Sequence, residues 1–184
     1  MEQAFRPVDT IVYEEVPPAP GRLAVVQGFA NTVDPEHGRE VLHSPEQLRR
    51  VLLDLGLLDG DAPVTARDLA RAHDLRDAIR ALALANNGVP TDASLESQVV
   101  VRVDDAHAAL EPAQRDVDGA FAELVGIVYT AMADGSWSRL KACRREVCHW
   151  LFYDHSRNRS AVWCSMAVCG NRTKTQRYRA ARRS

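Results

Sequence analysis

Apolar residues recur at helical spacing in three long stretches of this chain and alternate as in strands only in short ones. Ser44-Pro45 supplies an N-cap and a proline at the first helical position, and Leu48, Val51, Leu52 and Leu55 follow before Gly56. Thr65 with Asp68 three residues on predicts a capping box. It opens a long helix with Leu69, Ala72, Leu75, Ile79, Leu82 and Ala83 on one face, stopped by Asn86-Asn87-Gly88. Asp116 to Ala133 reads as a third helix, burying Phe121, Leu124, Val125, Val128, Tyr129 and Met132. Gly21 to Asp34 is short and apolar, either a strand running into a helix or a buried helix. Gln98 to Val103 reads as a strand, with a turn at Asp104-Asp105 and a second strand over Ala106 to Leu110. The first ~20 residues, with Pro7, Pro17, Pro18 and Pro20, are expected to form an extended arm or edge strand. No internal repeat or low-complexity segment interrupts the pattern. The expectation is a helix-dominated α+β body with a small sheet, roughly 110–120 residues and large enough for its own core.

The last 46 residues break this pattern, and charge separates them as sharply. The formal net charge of -2 hides two opposed parts: residues 1–138 hold 11 basic and 23 acidic side chains, a balance of -12, whereas residues 139–184 hold 12 and 2, a balance of +10. We therefore expect an acidic domain over 1–138 joined to a basic, anion-seeking module over 139–184. Of the 23 cations 21 are Arg, so where the cations cluster is more informative than the choice of Arg over Lys. No apolar run approaches the ~18 residues of a membrane span. The first twenty residues lack a basic start leading into an apolar stretch, so no secretory signal is expected and a reducing cytosol is the expected compartment.

All four cysteines fall in the basic module, spaced Cys143-x4-Cys148-x15-Cys164-x4-Cys169. Two close pairs across a hairpin-length insert suit a tetrahedral thiolate site, in which each short loop supplies two ligands to zinc. A closed four-sulfur shell is structural, and its binding energy would fold a module too small to fold unaided. Two disulfides, an iron–sulfur cluster and four buried thiols are the alternatives. In the insert, Trp150 to Tyr153 reads as one strand, Ser156 to Ser160 as a polar turn and Ala161 to Cys164 as the return strand. Trp150, Phe152 and Trp163 would pack as a small core against the metal, leaving His149 and His155 as ordinary histidines rather than ligands.

The segment CRREVCHWLFYDHSRNRSAVWCSMAVCGNR resembles the CGNR zinc-finger family, named for the motif at Cys169-Gly170-Asn171-Arg172. FYDHSRNRSAVWCS is similar to that family's F-x-D-x-S-R-x-x-x-x-x-W-C pattern. Leu23 to Asp34 resembles the Asn-Thr segment opening the α+β domain that accompanies this finger, although Gln27-Gly28 replaces an acidic-aromatic pair. The resemblance implies a cytoplasmic bacterial transcription regulator. It also implies one structural Zn2+ on Cys143, Cys148, Cys164 and Cys169, and a finger that binds nucleic acid.

From Asn171 the chain reads NRTKTQRYRAARRS, a helix that Asn171 or Thr173 could cap. Arg172, Gln176, Arg179 and Arg183 share one side, with Thr175 and Arg182 nearby, and Lys174, Arg177 and Tyr178 occupy another. Cations around the helix suit a DNA groove: Arg172, Lys174, Thr175 and Gln176 would reach base edges, and Arg177, Arg179, Arg182 and Arg183 phosphates. Arg157 and Arg159 at the hairpin tip would add backbone contacts. RNA, stacked on Trp150, Tyr153 or Tyr178, is a second possible partner. A protein of the transcription machinery is a third, and docking onto the acidic domain would mask the basic helix. No catalytic motif is present, His37, His43, His73 and His107 are scattered, and no enzymatic role is expected. Asn31 and Thr32 are the candidates for contacting a small-molecule effector. The Phe121–Met132 stripe could form a homodimer interface.

Overall fold

A computed structural model describes residues 16–182; the greater part of the expected N-terminal arm, and Arg183, lie outside the described residues. The first apolar segment is the buried helix of the two alternatives, α1 (Leu23–Ala30), with Leu23, Val26, Phe29 and Ala30 in the core. A hairpin of two short strands, β1 (Val33–Asp34) and β2 (Arg39–Glu40), follows. In α2 (Pro45–Asp54) the Ser44 hydroxyl accepts from Gln47 N–H at 3.3 Å, and Leu48, Val51 and Leu52 are buried. The predicted capping box opens α3 (Ala66–Ala85): Thr65 N–H donates to Asp68, and Asp68 N–H donates to the Thr65 hydroxyl.

The buried face of α3 differs from the apolar stripe expected. Ala72, Ile79 and Ala83 are buried, but Arg76 and Arg80 join them, while Leu69, Leu75 and Leu82 are only partly covered. Both arginines are tolerated because each meets acceptors. Arg76 forks onto Glu40 at 2.7 and 2.8 Å, and Arg80 donates to the Ala30 carbonyl at 2.9 Å, at the C-terminus of α1. Burial, with the neighbouring Arg76 charge, lowers the Arg80 pKa to about 10, so the guanidinium stays charged at neutral pH.

Strands β3 (Val99–Val103) and β4 (Ala108–Pro112) form an antiparallel hairpin against α4 (Val117–Ala133). The second strand starts two residues later than expected, because the turn takes in Asp104 to His107 and the Asp104 carboxylate accepts from both Ala106 and His107 N–H. Asp116 caps α4, whose Gly119 is required: a methyl there would sit 1.8 Å from the Gln114 carbonyl oxygen. Phe121, Leu124 and Val128 are buried as expected, but Tyr129 and Met132 are exposed, because the core is met by Ile127 and Ala131 instead.

A 3-10 turn (Trp137–Arg139) then leads into β5 (Leu140–Ala142), which pairs antiparallel with β6 (Leu151–Tyr153). The expected return strand over Ala161 to Cys164 does not form, since β5 already occupies the position beside β6. β5 packs on α3, and Leu140, Ala142 and Leu151 sit in the same apolar core as α1, α3 and α4. Each buried leucine contributes roughly 1.5–3 kcal/mol. The cysteine module is therefore held by the body's core as well as by its metal site. A π-helical turn (Met166–Gly170) finally runs into α5 (Asn171–Ala181).

Candidate metal centre and basic helix

Cys143 follows β5 and Cys148 precedes β6, so the first pair rides on the connection between two paired strands. Cys143 N–H donates to the Trp150 carbonyl at 2.9 Å and Cys148 N–H to the Arg145 carbonyl at 2.8 Å, and His149 turns the chain with φ 49°. In the second pair Cys164 precedes the π-turn and Cys169 lies within it, and the Ser165 hydroxyl accepts from Val168 N–H. The four ligand sulfurs lie within 4.8 Å of one another, with Cys148–Cys164 at 3.7 Å and Cys164–Cys169 at 3.6 Å. A disulfide needs ~2.05 Å. A tetrahedron with metal–sulfur distances of ~2.3 Å has edges of ~3.8 Å, which these separations match. Hydrogen bonds from Cys143, then Cys148 and Cys164, together with Arg145, push the Cys169 thiol far below its usual range, while the Cys164 thiol is driven far up. Four close sulfurs ionise together only around a cation. The donor set fits one structural zinc, which would leave no ligand position for a substrate. The metal-holding group contains no histidine among the described residues.

Trp150 is buried against the cysteines, with Trp163, Val168 and Val16 packed beside it, a small core at the metal as expected except that Phe152, though buried, is not part of it. The Phe-x-Asp-x-Ser pattern has a second purpose that its sequence did not disclose. Asp154, 1% exposed, pairs with Lys141, itself buried, at 2.7 Å. It also accepts from the Ser156 hydroxyl and from the N–H groups of Ser156 and Ala161. Lys141 in turn donates to the Arg159 and Ala161 carbonyls. This buried node shapes the 154–161 loop and leaves Arg157 and Arg159 exposed on it.

Each letter of the Cys-Gly-Asn-Arg motif has a structural task. Cys169 is a sulfur donor. A methyl on Gly170 would approach the Met166 sulfur to 2.8 Å and Trp163 Cδ1 to 3.3 Å. Asn171 donates back to the Ala167 carbonyl at 3.2 Å, and Thr173 to the Cys169 carbonyl at 2.8 Å. Neither residue caps α5, because the π-turn, capped by Ser165, continues directly into that helix. Arg172 pairs with Glu36 in the β1–β2 turn. The other Glu36 oxygen takes Arg145 at 2.5 Å, raising that guanidinium's pKa, and Arg145 also hydrogen-bonds Cys169. Glu36 thus joins the acidic body to both cysteine pairs and to the first turn of the basic helix. Over 136 positions of separation, no sequence signal announced it.

Asn31 and Thr32 lie in the same junction. Asn31 exchanges two hydrogen bonds with the backbone of Leu151, accepting at 2.9 Å and donating at 3.0 Å. Thr32 donates to the Phe29 carbonyl and accepts from Arg76. Gln27, where the family pattern differs, bonds Ala19 N–H at 2.6 Å and the Leu151 carbonyl at 3.3 Å, linking residues preceding α1 to β6. Arg80 reaches the Cys148 carbonyl at 3.3 Å, and Asn87 donates to the Ala142 and Val162 carbonyls. The polar groups of Asn31 and Thr32 are therefore engaged in holding β6 and α1.

Lys174, Thr175, Gln176 and Arg179 are exposed along α5, and Arg182 at its C-terminal end; the Arg177 side chain lies outside the described residues. Arg182 lies over the Tyr178 ring at 5.6 Å. No carboxylate among the described residues pairs with Lys174, Arg179, Arg182, Arg157 or Arg159. Of the candidate stacking rings, Trp150 is buried, Tyr153 is half-buried against His155, and Tyr178 is exposed. No helix among the described residues is long and apolar enough to cross a membrane. Two family models match the chain: the CGNR zinc finger over residues 139–183, and ABATE, described as a putative stress-induced transcription regulator, over residues 23–134. No curated protein matches it.

Proposed function

Because the chain belongs to the ABATE transcription-regulator family and carries a CGNR zinc finger, we propose that it is a zinc-dependent DNA-binding regulator acting at the nucleoid in the cytoplasm. The observation carrying this reading is α5: a helix rooted at a zinc ligand, exposed, with Lys174, Arg179 and Arg182 free of acidic partners among the described residues. Zinc and the body fix where the helix starts, and its cations, with Arg157 and Arg159, meet phosphates on a groove's walls. Gln176 and Thr175 would read base edges, while Arg172, engaged by Glu36, positions the helix. Residues 1–138 serve effector sensing or dimerisation, and residues 139–184 bind DNA without catalysing a reaction.

Burial of Trp150 favours duplex DNA over unpaired RNA, because Tyr178 alone among the three candidate rings is well exposed for stacking. Genome-wide immunoprecipitation with sequencing tests the proposal. Discrete recurrent peaks that vanish when Cys164 is replaced by Ser are expected. Recovery of transcripts without DNA peaks would replace the reading with an RNA one, and co-recovery of polymerase alone with an adaptor.

A further inference from the structure

A cavity of about 570 Å3 opens between α3 and α4, flanked by the connection before β3 and by Ala113-Gln114 after β4. That volume falls within the ~300–1,000 Å3 of small-molecule sites. Leu75, Phe121 and Val125 give it an apolar wall, while Arg71, Asp74, Glu96 and Asp118 supply its charged groups. The one cation is already engaged: Arg71 pairs with Asp118 at 2.5 Å and Asp68 at 3.3 Å, and its guanidinium lies 5.2 Å from the Phe121 ring centroid. Asp74 and Glu96 have no hydrogen bond or ion pair among the described residues.

These facts select the sign of an occupant. An anion would face two unpaired carboxylates with no free cation to receive it. A neutral apolar molecule would cover the wall but make no use of the two carboxylates, which are exposed at the cavity's mouth. A cation with an apolar body satisfies both surfaces, and Phe121 already accepts a cation near its ring. We propose that this cavity binds a small organic amine, with its apolar body on Leu75, Phe121 and Val125 and its ammonium group at Asp74 and Glu96. Helix α3 also carries Arg76 and Arg80, which hold Glu40, the end of α1 and the Cys148 carbonyl. The cavity and the first cysteine pair thus share one rigid element. That the amine is the effector rests on the regulator reading; that it binds does not.

The test uses full-length zinc-loaded protein, labelled with 15N and titrated with phenethylamine, with phenylacetate as the charge-reversed control. Saturable shifts confined to α3, α4 and the connection at 94–98 are expected, with none from phenylacetate. Asp74→Asn with Glu96→Gln should weaken binding about fivefold, as for two exposed charge contacts. Ala78→Leu, which fills the cavity, should abolish it. Absent or dispersed shifts, equal response to phenylacetate, or unchanged affinity in the carboxamide variant would overturn the site. Amine binding with unchanged DNA affinity would overturn the effector role. Failure of the protein to bind DNA would leave the amine titration readable on its own.

Discussion

Replacing Glu36 by Gln probes how the acidic body holds the basic helix. In the structure its carboxylate is shared between Arg145, whose side chain is 12% exposed, and Arg172, which is 51% exposed. The Arg145 half is largely removed from water, and a hydrogen bond to a charged partner in such a place is worth roughly 1.5–3 kcal/mol. A glutamine retains one acceptor, so part of that survives. The Arg172 half is screened and contributes ~1 kcal/mol or less. E36Q should therefore lower unfolding free energy by about 1–2 kcal/mol in urea with zinc present. R172Q should cost less, and the double variant should fall short of the sum by about 0.5–1 kcal/mol because the two side chains touch. DNA titrations separate positioning from contact. R172Q should leave the salt dependence of binding unchanged, whereas R179Q should reduce the slope by about 0.9. Additive stabilities together with a reduced slope for R172Q would refute the Glu36 latch and return Arg172 to the DNA contacts.

Metal analysis should give one zinc per chain. A chelator should expose four thiols to a colorimetric reagent and lower the urea midpoint; iron, or four fast-reacting thiols in the zinc-loaded protein, would contradict the centre. Asp154 should make stability fall in acid. Burial alone would raise its pKa, but hydrogen bonds from Lys141 and Ser156 win and lower it. Its stabilisation is therefore full above the unfolded pKa of ~3.9 and is lost as pH falls through the lower folded value. D154N should cost about 3–5 kcal/mol at pH 7 by leaving Lys141 buried and unpaired. Its melting temperature should change less than wild type between pH 4 and 2, and parallel curves would refute the pairing. Asn31→Ala should lose about 1–3 kcal/mol in urea, since the Leu151 N–H loses its partner while the carbonyl keeps Gln27. A loss below the error of the measurement would show that the junction does not depend on it.

The helix starts and stops were legible because capping is local: Ser44, Thr65-Asp68 and Asp116 act within three residues of themselves. The metal centre was legible for the same reason, as each cysteine pair is one short loop. What escaped was long-range or disguised. Arg76 and Arg80 look like solvent positions to any hydrophobic period, yet they are buried because Glu40 and backbone carbonyls receive them. β5 has three residues with a lysine in the middle, too short to show alternation, so the sequence pattern points to Ala161–Cys164 instead. Lys141 is hidden only because Asp154 is. Asn31 stands out in the sequence as a candidate effector contact; that its amide binds the backbone of β6 depends on a contact 120 residues away.

The most direct test is fluorescence anisotropy of the zinc-loaded protein on a labelled DNA duplex across a salt series, with single-stranded RNA of the same sequence in parallel. Five exposed cations, Arg157, Arg159, Lys174, Arg179 and Arg182, predict a slope of log K against log salt of about -4.5, a loss of roughly 500-fold between 50 and 200 mM. Binding should disappear on chelation. A flat salt response, undiminished binding without zinc, or tighter binding to RNA than to duplex would contradict a zinc-braced DNA-binding helix.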